Sequence, residues 1–123
     1  MKQTILVVED EEMVRKLMCE VLELEGYRVL PCSDPAEAIQ ESRQRCGEID
    51  LLLTDVVMPG MNGWDMAKRI REIIPDLRVV FMSGYTEHTL TSNGEIDPQC
   101  EYLQKPFSLA ALTRKVARVL GRE

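Results

Sequence analysis

The order of the apolar runs leaves this chain few folds. Strand-length runs at Thr4–Val8, Arg28–Cys32, Asp50–Thr54, Arg78–Met82 and Glu101–Gln104 alternate with stretches of helical period. After the first run, Val14, Leu17, Met18, Val21 and Leu22 recur at helical spacing and stop near Gly26. After the third, Met66, Ala67, Ile70, Ile73 and Ile74 do the same and Pro75 ends them. After the fifth, Ser108 is placed to cap a helix carrying Leu109, Leu112, Val116, Val119 and Leu120, which stops at Gly121. The helix after the second run opens on Asp34-Pro35-Ala36-Glu37: a cap residue, a proline in the first turn and a glutamate three after the cap. Only the stretch Tyr85–Cys100, rich in Thr, Ser, Asn and Gly, reads poorly; a helix over Glu87–Ser92 is weak by propensity.

Alternation of this kind implies an α/β fold, a doubly wound parallel sheet with helices on both faces. Runs one, three and four are continuously apolar and belong in the middle. The second holds Pro31, which cannot donate to a ladder and suits an edge; the fifth mixes polar and apolar residues and suits the other edge. The five-stranded order 2-1-3-4-5, a flavodoxin-like (βα)5 arrangement, satisfies these demands, and residues 1–123 read as one domain. In such a sheet ligands bind beyond the carboxyl ends of the strands, at the switch point between strands one and three.

The residues at those ends carry the chemistry. The first strand runs into Glu9-Asp10, the third into Asp55, the fourth into Ser83-Gly84 and the fifth into Lys105-Pro106. Three converging carboxylates repel unless a cation lies among them, and Lys105 supplies a single charge. A hard divalent ion bound by oxygens supplies the rest, and Mg²⁺ suits a site of two or three carboxylates, with Mn²⁺ admitted by the same donors. The bland alternative makes these acids helix caps; it is open for Asp10 but does not explain Asp55, which precedes a loop. Asp55, central in the sheet, is the candidate nucleophile toward phosphorus, forming an acyl phosphate. Lys105 would neutralise phosphoryl oxygens and Ser83 would donate to one of them. Taken singly, Lys105 reads as a surface lysine and Ser83 as a turn residue.

Glu9-Asp10, then Leu51–Gly63 (Leu-Leu-Leu-Thr-Asp-Val-Val-Met-Pro-Gly-Met-Asn-Gly), Ser83-Gly84 and Lys105-Pro106-Phe107 together resemble the receiver domain of two-component response regulators, over essentially the whole chain. The stretches Phe81–Glu87 and Leu103–Phe107 look most like receivers at the C-terminus of hybrid sensor histidine kinases. The resemblance implies phosphorelay signalling: Asp55 takes a phosphoryl group from a histidine of a sensor kinase or its phosphohistidine domain. It further implies that Asp10 and Asp55 bind Mg²⁺, that Glu9 acts directly or through water, and that Val57 lends its backbone carbonyl. Lys105 would pair with the phosphoryl group across a cis bond to Pro106, and Ser83 and Tyr102 would form the switch pair. A receiver catalyses only its own phosphorylation and dephosphorylation, and the family allows a homodimer. Glu9 stands where Asp is commoner, and Ser83 where Thr is frequent.

Other observations narrow the function. A formal net charge of −6 argues against direct nucleic-acid binding. No apolar run approaches the roughly 20 residues of a membrane span. No signal peptide precedes the first strand, and the four cysteines show no metal-ligand spacing; a cytoplasmic location with reduced thiols is expected. No output domain is expected after Glu123. A hydrolase with an aspartyl-phosphate intermediate is the rival enzyme reading, but its usual second acid would stand at Val57. A receiver that only binds, unphosphorylated, is the rival binding module. Trp64 reads as a partly exposed aromatic near the site, and the lone His88 cannot build a relay. Val57 and Tyr85 offer no group to orient an attacking water, so slow self-dephosphorylation is expected.

Overall fold

A computed structural model describes residues 2–83 and 100–122. Parallel strands β1 (Thr4–Val8), β2 (Arg28–Cys32), β3 (Leu51–Asp55), β4 (Arg78–Ser83) and β5 (Cys100–Gln104) form one sheet in the order β2-β1-β3-β4-β5. The helices among the described residues are α1 (Glu12–Leu24), α2 (Pro35–Gln44), α3 (Gly63–Ile73) and α4 (Leu109–Val119). The expected helix over Glu87–Ser92, the fifth of a (βα)5 arrangement, lies outside the described residues, as do Gly84, Tyr85 and His88.

The sheet order is the one the strand compositions require. β1 and β3 are buried along their whole length and β4 beyond Arg78, because helices cover both their faces. β2 and β5 are partly exposed edges, and Pro31 pairs with Val7 from the β2 edge. Alternate residues feed two cores. Leu6, Val8, Leu52, Val79 and Phe81 pack with Ala38 and Ile39 of α2 and Met66, Ala67 and Ile70 of α3. Ile5, Val7, Leu51, Leu53, Val80 and Met82 pack with Met18 and Leu22 of α1 and Leu112 and Val116 of α4.

Strand ends shift by one residue from the sequence reading. β3 begins at Leu51, not Asp50, because Asp50 bonds β1 partly through its side chain: its N–H donates to the Thr4 carbonyl at 2.9 Å while its carboxylate accepts the Thr4 N–H at 2.7 Å. At its other end the strand includes Asp55, which pairs with Met82 of β4. The fourth strand runs on to Ser83 and the fifth starts at Cys100.

The expected caps form. Asp34 accepts from the Glu37 N–H at 2.9 Å with Pro35 in the first turn, and Ser108 accepts from the Ala111 N–H at 3.0 Å. Asn62 caps α3 in the same way through the Asp65 N–H at 2.9 Å, a start that the loop-like composition around it concealed. None of the four cysteines is in a disulfide; burial pushes the Cys19 thiol up to about 11 and the Cys32 thiol up to about 12, so both stay protonated. Among the described residues no helix is long and apolar enough to cross a membrane. Replacing Asp34 with Ala should lower the unfolding free energy by about 1 kcal/mol, measured by urea denaturation, since it orphans one first-turn N–H.

Candidate functional site: an acidic cradle at the sheet's carboxyl edge

Four neighbouring strands deliver the site. Glu9 lies just beyond β1, Asp55 ends β3, and Ser83 ends β4 one residue past Met82, the register partner of Asp55. Lys105 follows β5, and its N–H donates to the Ser83 carbonyl at 2.7 Å, so β4 and β5 leave the sheet tied together. The Lys105–Pro106 peptide is cis.

The carboxylates of Glu9, Asp10 and Asp55 each present an oxygen within 4.8 Å of the others. Glu9 and Asp55 are buried, whereas Asp10 is exposed at the rim. Asp10 is not the cap of α1: the cap residue is Glu11, and its side chain makes no capping bond. The Lys105 ammonium stands 2.5 Å from Asp55 Oδ1 and 3.4 Å from Glu9 Oε1. The other Glu9 oxygen, Oε2, accepts the Glu11 N–H at 3.1 Å, and the Glu9 carbonyl accepts from Arg15 Nη1 at 2.8 Å.

This crowding shows in the acid–base balance. Burial pushes the Glu9 carboxyl up to about 7, helped by its hydrogen bond with Asp55 and by the Asp55 charge; the Glu11 N–H and Lys105 oppose the rise. For Lys105 burial works downward, yet the hydrogen bond and charge of Asp55, with Glu9 behind it, win and raise its pKa. Three carboxylates against one ammonium leave an excess of negative charge in a cradle of hard oxygens. That donor set fits a divalent cation of the Mg²⁺ kind.

The remaining residues of the sequence reading fall around this centre. Val57 stands in the loop after β3, 66% exposed. Tyr102 is half-buried on β5, its ring stacked on Phe81 of β4 with centroids 5.6 Å apart. Trp64 lies in the first turn of α3, edge-on to Phe81 at 6.5 Å.

Two residues that the sequence did not single out support the acceptor from behind. Thr54, fully buried, donates from its hydroxyl to the Asp55 carbonyl at 3.0 Å. Gly63 brings the first turn of α3 so close that a Cβ there would sit 2.1 Å from the Asp55 carbonyl oxygen. Its N–H donates to the Val56 carbonyl at 2.7 Å. A glycine opening a helix where better helix formers were available was the one visible sign of this close approach.

The model of the response regulator receiver domain family matches residues 5–117. The chain belongs to that family. Receiver domains act in two-component phosphorelay signalling, and this one is similar over nearly its whole length to curated members. It is 36% identical over 120 residues to the sensor kinase CckA of Brucella abortus, covering 98% of this chain but 13% of that protein. It is 34% identical over 116 residues to the response regulator receiver protein CpdR of the same organism, covering 94% of this chain and 95% of that one. The crystal structure of the response regulator TrrA from Thermotoga maritima in complex with Mg²⁺–BeF superimposes with a TM-score of 0.79 at 30% identity, covering 96% of this chain and 99% of that one. That structure holds Mg²⁺; in this receiver Glu9, Asp10 and Asp55 form an acidic cluster that could hold a metal ion.

Substituting Gly63 with Ala should slow phosphorylation by acetyl phosphate by about tenfold or more, because the methyl group must displace the acceptor's main chain. Gly47→Ala, with nothing within 4 Å of the added Cβ, should leave the rate unchanged. Single-turnover kinetics read by intact-protein mass spectrometry would measure both.

Proposed function

We propose that Asp55 of this receiver is the phosphoryl acceptor. An Asp55 oxygen attacks the phosphorus of a phosphohistidine, the phosphorus–nitrogen bond breaks, and the imidazole leaves with the electron pair; the product is an acyl phosphate. The single observation behind the choice is the 2.5 Å approach of the Lys105 ammonium to Asp55 Oδ1, within the cluster of acids at the strand ends. Asp10 and Asp55 would hold Mg²⁺ through carboxylates, with Glu9 directly or through water and the Val57 carbonyl completing the protein's share; Mn²⁺ suits the same oxygens. When bound, the ion supplies positive charge opposite the phosphoryl oxygens.

The chain's own residues do the rest. Lys105 moves its ammonium from Asp55 to a phosphoryl oxygen, and Ser83, buried at the end of β4, donates to another. Because Ser83 and Lys105 are joined through the main chain, a shift at either is felt along β5, where Tyr102 serves as the other half of the switch. Met13 and Leu17 in the first turns of α1, and Leu109 opening α4, are exposed apolar residues at this same end of the molecule. They favour a protein donor, a sensor histidine kinase or its phosphohistidine domain, over a small molecule alone. We place the domain in the cytoplasm, without direct nucleic-acid contact, as a stand-alone regulator or as a part of a hybrid kinase; a homodimer is compatible with either. Val57 is apolar and exposed at the mouth, which supports slow loss of the phosphoryl group.

Acetyl phosphate with Mg²⁺ should add one phosphoryl group to the wild-type chain by mass spectrometry and none to Asp55→Ala; an undiminished adduct in the variant would refute the assignment. Lys105→Ala should keep part of the labelling but lose the accompanying conformational change, followed by Trp64 fluorescence. Met13→Glu should slow transfer from a phosphorylated histidine domain of the partner kinase while leaving labelling by acetyl phosphate at the wild-type rate.

A further inference from the structure

Glu9 is the acid in the cradle whose placement costs most, since its side chain is one methylene longer than aspartate and the residue is 1% exposed. It lies outside the ladder: β1 ends at Val8 and α1 begins at Glu12. The Glu9 N–H finds the Cys32 carbonyl at 3.1 Å. Its carbonyl, buried and beyond the last strand residue, has no strand partner. Arg15 supplies one: Nη1 donates to that carbonyl at 2.8 Å. Arg15 is half-buried in the first turn of α1, and its own N–H is bonded to the Glu11 carbonyl at 2.9 Å. The guanidinium thus spans the β1–α1 connection and closes it on the residue that points its carboxylate at Asp55 and Lys105.

On charge alone this is a poor place for an arginine. A permanent positive charge bonded to the Glu9 main chain can only oppose a second cation held by the Glu9 side chain. A buried carbonyl left without a donor is also unfavourable, and its peptide would turn toward water and carry the carboxylate with it. We propose that Arg15 is a positioning residue for the cation site, holding the Glu9 main chain so that the longer acid stays in the cradle. This rests on the reading that Glu9, Asp10 and Asp55 bind a divalent ion.

Charge and positioning predict opposite signs. Removing a neighbouring cation should tighten Mg²⁺ binding; removing a positioning residue should weaken it. Titrating Mg²⁺ into the unphosphorylated chain by calorimetry, with no donor present, separates them. Arg15→Ala should bind about tenfold more weakly than wild type, and Arg15→Lys, which keeps the charge and one donor on a shorter reach, should fall between. Far-UV circular dichroism and the urea midpoint establish that each variant is folded; if the alanine variant is not, the lysine variant alone decides, and affinity equal to wild type overturns the inference. Equal or tighter binding by folded Arg15→Ala also overturns it, and if Asp10→Asn loses binding in the same experiment the metal site itself stands. A wild-type chain that binds no Mg²⁺ overturns both.

Discussion

Electrostatic crowding at the carboxyl edge of the sheet is the constraint to which the site is built. Two buried carboxylates and a third at the rim face a single ammonium. Burial has already pushed Glu9 up to about 7, the mark of an acid held where its charge is unwelcome. Such an arrangement persists in a folded protein because it stores affinity for positive charge. On the function proposed above, a divalent ion would add the missing charge and the phosphoryl oxygens would give Lys105 a partner away from Asp55.

The fold holds this arrangement in place by ordinary means. β1, β3 and β4 are covered on both faces, so their ends cannot fray toward water. The acceptor's main chain is gripped from three sides: by the Thr54 hydroxyl, by the first turn of α3 at Gly63, and by the Val56 N–H on the Met82 carbonyl. The first acid is gripped in turn through its N–H, its carbonyl and its carboxylate. The bond from the Lys105 N–H to the Ser83 carbonyl and the stack of Tyr102 on Phe81 tie β4 to β5. Both lie on the β4–β5 side, where the sheet ends in an edge.

Strand composition carried the sheet order because burial on two faces and burial on one leave different records: Val79-Val80-Phe81-Met82 belongs inside, and a run broken by Pro31 does not. The caps at Asp34 and Ser108 were legible for a similar reason, since a local hydrogen bond needs only local residues. The start of α3 was obscured because Asn62 and Gly63 are turn formers as well as helix starters. The boundary of β3 was missed by one residue because the Asp50 side chain stands in for a strand group, which no propensity encodes.

Among the described residues, the sequence by itself determined which elements form, in what order their strands lie, and that Glu9, Asp10, Asp55, Ser83 and Lys105 stand at strand ends, for these follow from periodicity and from the topology of parallel sheets. Tertiary structure decided what holds them there. Nothing in the residue types distinguishes Arg15 from any other arginine on an amphipathic helix, and a glycine at position 63 hints at a close approach without saying to what. Their roles arise from distances across chain segments: a guanidinium reaching back over the β1–α1 connection, and a helix start pressed against the acceptor's carbonyl. A sequence records local preference and burial directly. Contacts between segments appear in it only when they exclude every residue but one.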